Sequence, residues 1–170
     1  MPLAEGRYTG PLYRALNPIH ARDPLSGRGA ELHGGRFNAR GIPALYTALD
    51  PATALREANQ AGSLQPTILV SYAADLGPIF DTRALDGLRQ RGVSARTLAD
   101  PAWRMAMLDG RPVATQDFAR ALIAEGFAGL LIRSFAKGAT EHSLNIVLWR
   151  WSGDGCALRV IDDEDRLGRM

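Results

Sequence analysis

A chain of 170 residues, 46% of them hydrophobic and with a formal net charge of +2, is long enough for one substantial core and too short for two ordinary domains. Of its 20 basic residues only Lys137 is a lysine, and they form no run of five or more, which argues against nucleic acid as the main partner. Cys156 stands alone, the N-terminal MPLAEGRYTG lacks the apolar core of a leader, and no apolar run approaches a membrane span, so a reducing cytoplasm is the expected location.

Gly10 to Leu16 reads as a first strand with Leu12 and Arg14 on one side and Tyr13 on the other. By spacing alone Arg14 is an edge arginine with its head in water, although its apolar neighbours also suit a cleft-facing role. Asn17 to His33 is a polar loop with Gly and Pro, long for a compact domain and of the size that often serves as a lid. Gly34 and Gly35 then deliver Arg36 and Phe37 in a turn. Ala44 to Ala48 is a short strand that sends Leu45 one way and Ala44, Tyr46 and Ala48 the other. Asp50 and Pro51 open the next helix, because the short carboxylate accepts from free first-turn amides and proline's missing N–H costs nothing there. Pro51, Ala54, Leu55 and Ala58 form the apolar stripe of that helix. Glu57 falls off it, where a glutamate is ordinarily a solvated charge.

Thr67 to Ala73 is a β-branched strand, and Pro78 to Asp81 marks another short one. A short helix fits Arg83 to Gln90, stopped by Gly92, and Asp100 with Pro101 repeats the capping device for a helix through Leu108. Thr115 caps a further helix whose Phe118, Ala121 and Leu122 share a face and which Gly126 ends. Strands follow at Ala128 to Arg133, Leu144 to Trp151 and Ala157 to Ile161. The loop from Ser134 to Ser143 is rich in small and polar residues, where binding groups are commonly mounted. Alternation around Arg150 puts the indoles of Trp149 and Trp151 on one side, as core packing. The charged end, DDEDRLGRM, is expected to be poorly ordered.

Taken together, Tyr13-Arg14, Gly34-Gly35-Arg36-Phe37-Asn38, Ala44-Leu45-Tyr46, Glu57, Ser134 after the apolar Leu130-Leu131-Ile132-Arg133, and Asn145-Ile146-Val147 resemble, in order, the signature of the RES domain family. Phe37 stands where tryptophan is common, and Arg133 where proline is expected. The resemblance implies a single α/β (α+β) domain over residues 1–170, similar to the ADP-ribosyltransferase fold, with a mixed, mostly antiparallel sheet split around an NAD+ cleft. It also implies a toxin that consumes NAD+ and is held in check by an Xre-type antitoxin.

In that setting NAD+ is a substrate and no cofactor is needed. The Gly-Gly turn lacks the spacing of a dinucleotide fingerprint, and there is no P-loop and no nucleophile elbow. His20, His33 and His142 lie far apart without cysteine partners, so no metal is expected. By the resemblance, Glu57 stabilises positive charge developing on the ribose, Arg14 and Arg36 offer forks to the diphosphate, and Tyr46 stacks on the nicotinamide. Ser134 orients Glu57 or a ribose hydroxyl, and Asn145 belongs with the NAD+-binding residues. The acceptor is left open between water, phosphate and a protein side chain. Leu55 stands two residues before Glu57, where many ADP-ribosyltransferases carry a second glutamate or glutamine, which favours a small-molecule acceptor over modification of a protein target. The competing reading of another class is a non-enzymatic arginine-rich binding module, which would bind in a steeply salt-dependent way and leave NAD+ intact.

Overall fold

The computed structural model describes residues 2–60 and 63–170. Strand β1 (Tyr8–Leu16) pairs with β3 (Ile68–Leu76) along its whole length, from Tyr8 opposite Leu76 to Leu16 opposite Ile68. Next to β3 lie β8 (Cys156–Val160) and the short β7 (Ser152–Gly153). On the other flank β2 (Leu45–Ala48) pairs with β6 (Leu144–Leu148), β6 with β5 (Gly129–Arg133), and β5 with β4 (Ile79–Asp81). Among the described residues this makes one eight-stranded sheet in the order β4-β5-β6-β2-β1-β3-β8-β7, antiparallel except between β4 and β5. A parallel pair needs a long crossover. Here it contains α3 (Leu85–Arg89), α4 (Ala95–Ala99), α5 (Trp103–Leu108) and α6 (Ala114–Ala124). The mixed α/β class read from the sequence is the class observed.

The halves β4-β5-β6-β2 and β1-β3-β8-β7 meet, among the described residues, at one pair, Tyr13 opposite Ala48. One core cluster joins Leu12 and Tyr72 from one half to Leu45, Leu131 and Ile146 from the other, so the halves pack face to face across that joint. Side chains alternating with these, Leu130, Ile132 and Val147, meet Phe37, Phe118 and Leu122 in a second cluster under α6.

Helix α2 (Pro51–Ala58) starts as its sequence dictates, with Asp50 Oδ1 accepting from the Thr53 amide at 2.8 Å and Oδ2 from the Thr53 hydroxyl at 2.6 Å. Its buried face is not the expected stripe. Thr53 and Ala54 are buried, whereas Leu55 is 38% exposed and Pro51 and Ala58 are exposed. Thr53 faces the body, and Glu57, one turn on, is carried to the same side.

Other departures have local causes. Asp100 and Pro101 do not start a helix: Ser94 caps α4 by accepting from the Thr97 amide at 3.1 Å, α4 ends at Asp100, and the Asp100 carboxylate accepts from the Ala102 amide at 2.8 Å in a turn that leads into α5. Thr115 lies buried inside α6 instead of capping it, and Ala119 takes the core place expected of the exposed Ala121. Strand β6 stops at Leu148 because the amides of Trp149 and Arg150 both donate to the Ala128 carbonyl, at 2.8 and 3.1 Å. The two indoles therefore enter different clusters. The segment Asn17–His33 holds a 3₁₀ turn at Pro18–His20, capped by Asn17, and helix α1 (Arg28–His33). The charged C-terminus is folded onto the body, with Asp162 accepting from the amides of Arg166 and Leu167 at 2.8 and 2.9 Å and the Met170 carbonyl accepting from Arg22 Nε at 2.6 Å. No described helix is long and apolar enough to cross a membrane.

Asp50→Ala removes both cap bonds and is expected to lower stability by about 1–2 kcal/mol, while Asp50→Asn, which still accepts from the amide, keeps most of it. Urea unfolding of the three proteins checks this, and equal midpoints would show that the cap contributes nothing.

Candidate functional site

The site is built on the turn Gly34 to Asn38. The Gly35 amide donates to the Asn38 carbonyl at 2.8 Å, and Gln116 Nε2 on α6 donates to the Gly35 carbonyl at 2.9 Å. Asn38 is fully buried and its Nδ2 donates to the carbonyls of Ala30 at 2.8 Å and Ile42 at 2.9 Å. Its Oδ1 accepts from the Tyr46 hydroxyl at 2.7 Å, and that hydroxyl accepts from the Phe37 amide at 3.0 Å. A Cβ at position 35 would lie 2.4 Å from the Tyr46 oxygen and 2.6 Å from Asn38 Oδ1, so the approach of turn to strand requires glycine. The buried Phe37 has its carbonyl bonded by Trp149 Nε1 at 2.8 Å. With residues 35, 37 and 38 so fixed, Arg36 is left to face a cleft of about 830 Å³.

Arg36 Nη1 donates to the carbonyls of Leu98 and Asp100, both at 2.9 Å. Its guanidinium carbon sits 4.7 Å from the ring centre of Phe135 and 5.8 Å from that of Trp103. Burial pulls the Arg36 pKa below the ordinary guanidinium value, and the charge of Glu57 opposes the change. Arg14, on β1, also lines the cleft, with Nη1 donating to the Pro24 carbonyl at 2.9 Å.

Glu57 enters from α2. Its Oε1 accepts from Ser134 Oγ and from Asn145 Nδ2, each at 2.5 Å, and its Oε2 accepts from Gln60 Nε2. Tyr46 keeps 37% of its surface exposed while its hydroxyl is deeply enclosed. Burial raises the Tyr46 pKa well above the ordinary tyrosine value, against smaller opposing effects of the Phe37 amide and Arg36.

The cleft thus brings together Arg14, Arg36, Tyr46, Glu57 and Asn145, all named from the sequence, and Ser134 reaches it by its bond to Glu57. Asn145 touches the carboxylate directly, a contact not foreseen in placing it among the binding residues. Sequence reasoning gave no role to Gln60, Trp103, Arg104 or Phe135, which also line the cleft, nor to the buried Asn38. Gln60 had a readable signal, standing three residues after Glu57 just past the end of α2. For Trp103 and Phe135, which meet Arg36 only through tertiary packing, there was none.

The RES domain family model matches residues 11–168 of the chain. No curated protein matches it.

Tyr46→Phe leaves the Phe37 amide and Asn38 Oδ1 without their partner and is expected to cost about 1–3 kcal/mol. The pH dependence follows from the raised pKa. The folded state holds the phenol proton more tightly than the unfolded state, so stability is fully present below the unfolded value near 10.0 and is lost as pH rises through the folded value. Burial acts in the same direction on Tyr72 and on Tyr8, which is pushed up to about 12. Urea midpoints are expected to stay flat to about pH 9 and fall above about pH 10, less steeply in Tyr46→Phe. An equally steep fall in the variant would exclude Tyr46 from the alkaline transition.

Proposed function

The chain belongs to the RES domain family, and from that membership and the carboxylate held in its cleft we propose that it cleaves the nicotinamide–ribose bond of NAD+. The family is consistent with an NAD-utilising, toxin-like enzyme. The observation that carries the finer reading is Glu57, fixed by three neutral donors in a cleft whose arginines are likewise held by neutral groups.

Nicotinamide is a good leaving group. The C1′–N bond breaks with its electron pair going to the pyridinium nitrogen, which becomes neutral, so no acid is required. Positive charge then grows on the ribose ring, and an anion fixed beside it lowers the barrier. Ser134 and Asn145 hold Oε1 without neutralising it, so the full negative charge of Glu57 is available to the ribose. Arg36 has one nitrogen committed to carbonyls, and the rest of its fork serves the diphosphate together with Arg14. The exposed face of Tyr46 suits the nicotinamide ring, while its anchored hydroxyl keeps that face in place.

The ribosyl cation is captured by water or phosphate, the incoming oxygen losing its proton to solvent. Leu55 stands where many protein-directed ADP-ribosyltransferases carry a second glutamate or glutamine, and among the described residues Glu57 is the one carboxylate that lines the cleft. We place the activity inside the cell as that of a toxin depleting NAD+, with an Xre-type antitoxin closing the cleft mouth.

Purified protein is expected to release nicotinamide from NAD+, and Glu57→Gln to lower the rate by about 10²-fold or more with an unchanged circular dichroism spectrum. A variant that turns over NAD+ near the parent rate would remove Glu57 from the chemistry. Arg14→Lys and Arg36→Lys are each expected to raise KM by about tenfold, since a point charge replaces a fork. If neither changes turnover, the diphosphate lies elsewhere. With labelled NAD+ in cell lysate the label is expected in free ADP-ribose or its phosphate, and a discrete labelled protein band would make the chain a protein ADP-ribosyltransferase instead.

A further inference from the structure

The cleft carries aromatic surface that NAD+ cleavage at Glu57 leaves unassigned. Phe135 follows Ser134, whose hydroxyl is on Glu57, and its ring centre is 4.7 Å from the Arg36 guanidinium carbon. The same guanidinium is 5.8 Å from the Trp103 ring centre, and the guanidinium of Arg104 is 5.2 Å from that ring. From Glu57 the series runs through Ser134 and its chain neighbour Phe135 to Arg36, Trp103 and Arg104, from a half-buried carboxylate to an exposed arginine.

A dinucleotide has its parts in a fixed linear order. With the nicotinamide ribose at Glu57 and the diphosphate on Arg36, the remaining half, an adenosine, extends toward Trp103 and Arg104. We propose that these two residues form the subsite for the purine base, which stacks on the indole and takes the Arg104 guanidinium over its other face; the assignment rests on the cleavage reading above. An indole is a strong stacking partner for any base, and a guanidinium stacks on a heteroaromatic face while keeping its hydrogen bonds to water or phosphate. The wall is preformed. Arg36 Nη1 ties the turn before α5 through the carbonyls of Leu98 and Asp100, which holds half-buried Trp103 at the cleft, whereas the exposed Arg104 is free to swing aside as the base enters.

Nicotinamide mononucleotide contains the scissile bond and one phosphate and lacks the adenosine with the other, so the effect of a Trp103 substitution on the two substrates reports on the subsite. Trp103→Ala is expected to lower kcat/KM for NAD+ by about tenfold more than for the mononucleotide, chiefly through KM, and Trp103→Phe to restore most of the difference. Equal losses on the two substrates, or no loss on NAD+, would overturn the assignment. Titration calorimetry with ADP-ribose separates the subsite from the reaction. The parent is expected to bind it about tenfold more tightly than Trp103→Ala. If that difference is found in a protein that cleaves neither substrate, the subsite stands and the cleavage reading alone fails. Equal affinities, or no binding by the parent, overturn the subsite whatever the kinetics.

Discussion

The hydroxyl of Tyr46 donates to Asn38 and accepts from the amide of Phe37, and these two bonds decide where the turn 34–38 sits against β2. Because the hydroxyl is enclosed, replacing either partner would leave a buried polar group without water to compensate it. Asn38 extends the constraint to α1 and to the chain before β2 through the carbonyls of Ala30 and Ile42. Trp149 extends it to the segment after β6 by its bond to the Phe37 carbonyl, and Gln116 extends it to α6. Pieces of chain about 80 to 110 residues apart in sequence are thereby tied to five consecutive residues. Arg36, whose side chain leaves that network for the cleft, inherits a fixed position.

Charge in the cleft is kept uncommitted by the same economy of neutral partners. None of the ion pairs among the described residues includes Glu57, Arg36 or Arg14. Glu57 is held by a serine, an asparagine and a glutamine, Arg36 by two carbonyls and two rings, and Arg14 by a carbonyl. Had an arginine closed on the carboxylate, the pair would have to separate before either group could meet a ligand. Held apart, they present an anion and cations to one ligand, which suits a molecule carrying a positive ring near a negative diphosphate.

Much of this was legible where local chemistry and tertiary need agree. Asp50 and Pro51 set the start of α2, the alternation around Leu45 set β2, and the family order placed Arg14, Arg36, Tyr46, Glu57 and Asn145 on one site before any geometry was available. The sequence misled where a side chain is used otherwise than its type and spacing suggest. Leu55 looked like core and Glu57 like surface because periodicity ranks side chains by polarity, whereas α2 buries Thr53 and Ala54 and turns Glu57 to Ser134 and Asn145. Asp100 has the residue type of a helix start, but its carboxylate serves a turn and Ser94 begins the helix before it. The tail after Ile161 reads as solvated charge, yet Asp162 uses that charge to cap the last turn.

The crossover between β4 and β5 shows how the fold and the cleft depend on one another. A parallel pair obliges the chain to leave the sheet and return, and α6 with its buried Phe118 and Leu122 makes the return part of the core. The outgoing part, α3 to α5, contributes little to that core beyond Leu88 and Leu98. What fastens its far end is Arg36, through the carbonyls of Leu98 and Asp100. The guanidinium that faces the cleft therefore also places the wall bearing Trp103 and Arg104. The cleft cation and the wall that bears Trp103 and Arg104 are thus fixed to each other by the same two hydrogen bonds.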